Sequence, residues 1–265
     1  MSGCVPSDAA GEGSSMSGHS KWANIKHKKA RADAKKGKIF SKLAKEIMVA
    51  ARAGGGDPAA NITLRAILDK ARSYNMPADN IERAIKKGTG EGSENVVFEE
   101  LVYEGYAAGG VAILVGVLTD NRNRSAAEVR SVFTKQGGNL GGVGSVAHLF
   151  QRRGQLFVDA EGAEEDRLME VALEAGADDM QRDGDSFEIL TPPTDFMAVS
   201  DAVKGAGFTV SSAELTFLAE TEVPVSDPAQ AKSLMRFLEA LEDLDDVQNV
   251  YSNADIDDAL LDDSE

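Results

Sequence analysis

The chain has 265 residues and a formal net charge of −16, and 42% of its residues are hydrophobic. This composition is typical of a soluble globular protein, and the length corresponds to about two domains, with one or three possible. A single cysteine, Cys4, excludes an intramolecular disulfide framework and a cysteine-rich zinc site, and no apolar run is long enough to cross a bilayer.

Residues 1–15 are small and polar, with no apolar core for a secretory signal and no arginines for a mitochondrial one. We interpret positions 1–18 as a disordered extension or a misassigned start. We expect the protein to be cytoplasmic and without a membrane segment.

The next stretch, His19 to Arg52, opposes the charge of the rest of the chain. It contains eleven lysines and arginines and two acidic residues, a net +9, so the remaining residues carry −25. A solvated helix face is the ordinary explanation of such charges, but this density in an acidic chain indicates a polyanion partner. The predicted nucleic-acid-binding residues here are His19, Ser20, Lys21, Trp22, Lys26, His27, Lys28, Lys29, Arg31, Lys35, Lys36, Lys38 and Lys42. Contact with six to eight phosphates predicts a slope of log K against log salt of about −4 to −7.

Residues 20–36, the basic arm, have Trp22 and Ile25 as their only sizeable apolar residues. Such a segment gains little from packing, so we expect it to be mobile alone and to become ordered on a partner. Trp22 has two interpretations: it stacks on an unpaired base or ribose, or it docks the arm on the following helices. His19 and His27 lack nearby cysteines or a carboxylate pair, so we predict no metal site and no cofactor.

A helical bundle is predicted over residues 38–88, within a basic domain at 19–93. Gly37 interrupts the helical pattern, and a helix from about 38 to 53 carries one apolar stripe. The glycines at 54–56 end it, and Asp57-Pro58 predicts an N-cap and first residue for the next helix. Asn75-Met76-Pro77 breaks that helix, and a short helix stops at Gly88.

Beyond a linker at 89–95 the pattern becomes mixed. Strands are predicted at 97–106, 111–119 and near 144–151, with a helix at 124–136. The glycine-rich stretches at 54–56 and 137–144 lack phosphate-binding spacing, so we interpret the first as a turn and the second as a flexible connection.

Residues 154–219 have the order β-α-β-β-α-β, which is ferredoxin-like. A helix at 228–242 and a strand at 247–251 complete a second such unit with the ββαβ segment before it. The predicted fold is therefore α+β and multidomain, with an N-terminal helical bundle followed by two ferredoxin-like α/β sandwich domains, the last inserted in the second. The boundaries are 94–151 with 220–253 for the outer domain, 152–219 for the inserted domain, and 254–265 for an acidic tail.

The run Thr119-Asp120-Asn121-Arg122-Asn123-Arg124 lies between a predicted strand and a helix. Asp120 or Asn123 is predicted to cap the helix, with Ser125 also available. Arg122 and Arg124 would then be exposed as a second phosphate or RNA contact.

No convincing catalytic centre is visible. The sequence offers no Cys/His pair, nucleophile elbow or metal-binding helix, and His148 is predicted to lie in an apolar strand. We therefore expect a non-enzymatic protein without a small-molecule substrate.

Several long runs carry a resemblance to a known family: HSKWANIKHKKARADAKKGKIFSKLAKEI (19–47), GGGDPAAN (54–61), RSYNMPADNIERAIKKGTG (72–90), TDNRNRSAAEVRSVFTKQGGNL (119–140) and GSVAHLF (144–150). With these runs the chain resembles the YebC/PmpR family, which includes the mitochondrial translational activator of cytochrome oxidase. Met16, where the similarity begins, is then the expected initiator. The chain departs from the family pattern at Ala107-Ala108, where Gly-Pro is usual, and at His148, where an aromatic residue is usual.

The resemblance implies three domains and two functions, a DNA-binding transcriptional regulator or a translation factor at the ribosome that relieves slow peptide-bond formation. A poorly supported basic arm favours irregular RNA over duplex DNA, and no heptad dimer seam is visible, so we expect a monomer. The favoured partner is rRNA or the ribosome, the alternative is duplex DNA, and a pure protein-interaction module is a third reading.

Overall fold

In a computed structural model, residues 33–90, 97–256 and 260 of the chain are described. Three helices come first: α1 (Asp33–Gly54), α2 (Ile62–Ser73) and α3 (Ala78–Gly88). Their shared core contains Leu43, Ile47, Leu64 and Leu68, and these residues recur at helical spacing because one stripe of each helix faces its neighbours. The predicted bundle helices are thus present.

Two details of the bundle differ from the prediction. Gly37 lies inside α1, which is continuous from Asp33. The N-cap of α2 is Asn61, because its side-chain oxygen accepts from the Leu64 amide at 3.0 Å. Asp57 instead closes a turn by accepting from the Ala59 amide at 2.9 Å, so Asp57-Pro58 does not begin a helix.

The second part is built on four strands, β1 (Glu99–Tyr106), β2 (Ala112–Thr119), β3 (Asn139–Leu140) and β9 (Val247–Ser252). They form one sheet in the order β3-β1-β2-β9, with antiparallel neighbours. Helices α4 (Arg122–Lys135) and α7 (Pro228–Glu242) cover one face of this sheet, and the rings of Phe133 and Phe237 meet edge to face at 4.9 Å.

The elements of the third part are β4 (Phe150–Asp159), α5 (Glu165–Glu174), β5 (Asp179–Asp183), β6 (Ser186–Thr191), α6 (Phe196–Gly205) and β7 (Val210–Ala219). The strands form a sheet in the order β5-β6-β4-β7, again with antiparallel neighbours, and the two helices pack on it. A short parallel pair joins β8 (Val223–Val225) to β10 (Ala254–Ile256). The described chain is therefore mixed α/β with largely antiparallel sheets, as expected.

The predicted strand near 144–151 is wrong. The third strand of the first sheet is Asn139–Leu140, a 3-10 turn occupies Ala147–Leu149, and β4 then runs without a break from Phe150. His148 is exposed in that turn. The amides of Gly144, Val146 and Ala147 are bound by the Glu104 carboxylate, so they are not available to a β-ladder.

The acidic tail also begins later than predicted. Ala254 and Ile256 are buried in β10, because their apolar side chains alternate with Asp255 and pack into the core beside α7. Residues 257–259 and 261–265 fall outside the described ranges, as do 1–32 and 91–96. Among the described residues, 33–90, 97–256 and 260, no helix has the length and apolar character that crossing a membrane requires.

Candidate nucleic-acid interface

Three lysines of α1 donate hydrogen bonds to the C-terminal end of α7 and the loop after it. They recur at one-turn spacing and share one face of α1. The contacts are Lys38 Nζ with the Asp243 carbonyl at 3.0 Å and its carboxylate at 3.1 Å, Lys42 Nζ with the Glu242 carbonyl at 2.6 Å, and Lys45 Nζ with the Asp245 carbonyl and the Asp246 carboxylate, both at 2.9 Å.

These three residues, which we name the lysine clamp, have a clear electrostatic basis. The last carbonyls of a helix have no partner within the helix and carry its negative dipole end, so cations bind there favourably. The clamp therefore fixes α1, and with it the point from which the basic arm leaves the folded body.

Asp246 lies at the centre of a buried polar network beside the clamp. Its Oδ2 accepts from Thr119 at 3.0 Å, from Ser125 at 2.7 Å and from Arg124 at 2.7 and 3.2 Å, while Oδ1 accepts from Lys45. Burial opposes the charged carboxylate, but these donors together hold the pKa of Asp246 well below its usual range. Hydrogen bonds to Asp246 and Asp120 raise the pKa of Arg124.

Most side chains of residues 119–124 thus make hydrogen bonds within the protein. Asn121, and neither Asp120 nor Asn123, caps α4, since its side-chain oxygen accepts from the Arg124 amide at 3.1 Å. Arg124 is bonded to Asp120 and Asp246, so it is not the free contact that was expected, whereas Arg122 is exposed.

The structure accounts differently for each part of the predicted basic site. Lys38 and Lys42 belong to the lysine clamp and face α7, and Lys36 is half-buried and makes a contact within the chain. The side chain of Lys35 and the whole of His19, Ser20, Lys21, Trp22, Lys26, His27, Lys28, Lys29 and Arg31 lie outside the described residues. Their role in binding stays a prediction.

Sequence reasoning missed an anchor that holds the glycine-rich loop. The Glu104 carboxylate accepts from the backbone amides of Gly144, Val146 and Ala147 at 2.7, 2.7 and 2.8 Å. Burial opposes the charged form, yet these three amides keep the pKa of Glu104 below its ordinary value. The end of the loop is therefore held to β1 and is not a free connection; a glutamate inside the apolar run of β1 was the available signal.

Sequence reasoning also missed ion pairs that link α2 to the third part of the molecule. Lys70 Nζ lies 3.1 Å from Glu214 Oε2 on β7, and Arg65 pairs with Asp201 on α6 at 3.4 Å. Burial lowers the pKa of Lys70, but attraction by Glu214 and Glu46 outweighs it and raises the pKa overall. Charged contacts thus join α1 to α7 and α2 to β7 and α6.

No group of three or more His, Cys, Asp or Glu residues is arranged to hold a metal ion in the part of the chain that the structure describes. The geometry there is that of a docked basic helix and its supports, with the predicted arm attached to its N-terminal end.

Comparison with known proteins gives matches over nearly the whole length. The family model described as the TACO1/YebC protein N-terminal domain matches residues 20–91, and that described as the TACO1/YebC second and third domain matches residues 98–254. A protein of Trichlorobacter lovleyi named "Probable transcriptional regulatory protein" is 56% identical over 241 residues, covering 91% of this chain and 96% of its own length. A protein of the same description from Desulforapulum autotrophicum is 55% identical over 247 residues, covering 93% of this chain and 99% of its own.

Among solved structures, the crystal structure of a conserved hypothetical protein from Aquifex aeolicus is similar to this chain. Its TM-score is 0.81 at 47% sequence identity, and the match covers 90% of this chain and 98% of that one.

Proposed function

The chain belongs to the TACO1/YebC family, and from that premise we propose that it is a non-enzymatic, nucleic-acid-binding regulator of gene expression. In this proposal it acts in the cytoplasm as a monomeric translation factor that contacts ribosomal RNA through the basic arm and relieves slow peptide-bond formation. The proposed architecture is a basic helical domain followed by two ferredoxin-like domains, one inserted in the other.

The charge distribution is the observation that carries the proposal. A net +9 between His19 and Arg52 stands in a chain of net charge −16. Lysines and arginines at this density neutralise phosphates and release condensed counterions, which makes polyanion binding favourable. The acidic remainder repels nucleic acid and so directs contact to the basic stretch.

The lysine clamp supports a positioning role for the folded body. Because the clamp holds α1 against the C-terminal end of α7 and the loop after it, through Lys38, Lys42 and Lys45, the start of α1 has a fixed place on the molecule. A basic arm attached there can be delivered to one location on a large partner. Such a protein would favour a productive geometry of the partner's reacting groups without chemistry of its own.

A DNA-binding transcriptional regulator is the second candidate, and the names of the relatives favour it. A reader of duplex DNA normally inserts a well-supported helix into the major groove and binds half-sites through two-fold symmetry. The basic arm has only Trp22 and Ile25 to support it by packing, which suits irregular RNA better.

The test is sedimentation of cell extract through a sucrose gradient at two salt concentrations. The arm variant changes Lys26, Lys28, Lys29, Lys35 and Lys36 to Ala. A matched control removes the same charge from exposed cations elsewhere, by changing Lys87, Arg130, Lys135, Lys232 and Arg236 to Ala.

We expect wild type and the control to migrate with ribosomes at low salt, and the arm variant to remain at the top. If wild type stays at the top even at low salt, the ribosome proposal fails. The DNA alternative then requires a specific-to-nonspecific affinity ratio on duplex DNA of about 10³ or more.

A further inference from the structure

An open groove of about 390 Å³ lies between α1 and α3. Its lining is mostly apolar and includes Phe40, Ala44, Met48 and Met76, while Arg83 and Lys87 of α3 also line it. Phe40 and Met48 are only partly buried, so their apolar surfaces remain in contact with solvent. Burying such surface against another apolar group is favourable.

The groove extends to the N-terminal part of α1. Gly37 contributes to its lining, and a Cβ built on Gly37 would meet no atom within 4 Å. One end of the groove therefore lies about one helical turn from Asp33, the first described residue of α1.

We propose that Trp22 docks in this groove, with its indole ring against Met48 and Met76. Trp22 is the only tryptophan of the chain and the largest apolar side chain of the basic arm. Methionine sulfur makes favourable contacts with aromatic rings, and the volume is within the range of about 300–1,000 Å³ typical of clefts that bind small groups.

The length of chain between Trp22 and α1 permits this placement. The groove residues on α1, from Gly37 to Met48, lie about 6–22 Å along the helix from Asp33 at ~1.5 Å per residue. The eleven residues from Trp22 to Asp33 span up to about 36–40 Å when extended. The arm can therefore fold back along α1, and its tether gives Trp22 a high effective concentration at the groove compared with a free partner.

A docked Trp22 gives the arm its missing packing support. The lysines on either side of it would leave the groove at a defined position instead of sampling the whole reach of the chain. This inference goes beyond the proposed function, because it assigns Trp22 to the bundle instead of to an RNA base. Its test contains no nucleic acid, so its failure is independent of the sedimentation result.

Fluorescence of the full chain reports directly on Trp22, since no other tryptophan contributes. We expect emission at shorter wavelength than in the urea-unfolded chain, together with reduced quenching by acrylamide. Ser41 lines the groove, so Ser41→Arg should close it and shift the emission toward the unfolded value. Ser73→Arg is the matched control, because Ser73 is also exposed on a helix and also donates to a carbonyl of its own helix.

Methyl NMR of the methionines identifies where Trp22 docks without altering the groove. Trp22→Ala should shift the Met48 and Met76 methyl resonances, because the ring current of the indole is lost, and should leave exposed Met169 on α5 unchanged. Trp22→Phe should retain part of the effect. Emission in wild type equal to that of the unfolded chain, or unchanged Met48 and Met76 resonances in Trp22→Ala, would overturn the proposal.

Discussion

Replacing Asp246 by Asn tests whether the buried carboxylate network holds α1, β2 and α4 together. The Asp246 side chain is 4% exposed and receives hydrogen bonds from two cations, Lys45 and Arg124, and two hydroxyls. Asn keeps the shape but removes the charge and places an NH₂ group among donors. The two cations would then lose their shared partner.

The size of the effect follows from these contacts. Removing one partner of a buried charge pair costs about 3–5 kcal/mol. The Arg124 side chain is 45% exposed, so water partly compensates its loss, and the Asn oxygen can still accept from one hydroxyl. We therefore expect the free energy of unfolding to fall by about 3 kcal/mol, at the lower end of that range, as measured by urea unfolding followed by circular dichroism.

The effect should depend on pH in a defined direction. The pKa of Asp246 is lowered on folding, so its contribution is fully present above the unfolded pKa of about 3.9 and is lost as pH falls through the folded pKa. The difference between wild type and Asp246→Asn should be constant from about pH 5 to 8 and should shrink below about pH 4.

The neighbouring Asp245 supplies the control. Its side chain is exposed and only its backbone carbonyl contacts Lys45, so Asp245→Asn should change stability by less than about 0.5 kcal/mol. Equal stability losses in the two variants, or a loss at Asp246 that persists unchanged at the lowest pH, would refute the reasoning.

Two further predictions concern the contacts that sequence reasoning missed. Glu104→Gln should speed hydrogen exchange at the Val146 and Ala147 amides by about tenfold or more, since a charge-assisted hydrogen bond contributes about 1.5–3 kcal/mol. Glu100 is exposed on the same strand, so Glu100→Gln should leave this exchange unchanged. Equal protection of the two amides in wild type and Glu104→Gln would contradict this. Lys70→Met should destabilise the protein more in the presence of Glu214 than in the Glu214→Gln background, with a coupling energy of about 1 kcal/mol in a double-mutant cycle, and additive effects would show that the pair is not coupled.

The helices were predictable because their signals are local. The helix predicted at 228–242 is confirmed as α7, since Asp227 caps it by accepting from the Gln230 amide at 2.8 Å and Pro228 follows. The same Asp-Pro pair at Asp57 failed. There the side-chain NH₂ group of Asn61 donates at 2.8 Å to the carbonyls of both Ala50 and Gly55. This link to the end of α1 places the start of α2 after Asn61 instead of after Asp57.

The contacts around the basic helix could not be predicted in the same way. The acceptors of the lysine clamp lie about 200 residues away along the chain and are mostly backbone carbonyls. Every residue has a backbone carbonyl, so no residue type in the sequence marks which carbonyls will bind a cation. Lys38 and Lys42 therefore resembled the other lysines of the stretch, although in the folded protein they bind the C-terminal end of α7.

This assignment changes how much charge the protein can offer to a nucleic acid. Of the eleven cations between His19 and Arg52, Lys38, Lys42 and Lys45 already pair with the C-terminal end of α7 and the loop after it. Lys36 and Arg52 also make contacts within the chain. Six cations remain from Lys21 to Lys35. At about 0.7–0.9 counterions released per phosphate, six contacts give a slope of log K against log salt of about −4 to −5. The sequence alone permitted a slope of about −7, and that value would now require either opening of the lysine clamp or a second contact through exposed Arg122. The salt dependence of binding therefore distinguishes an arm that acts alone from a protein that rearranges on its partner.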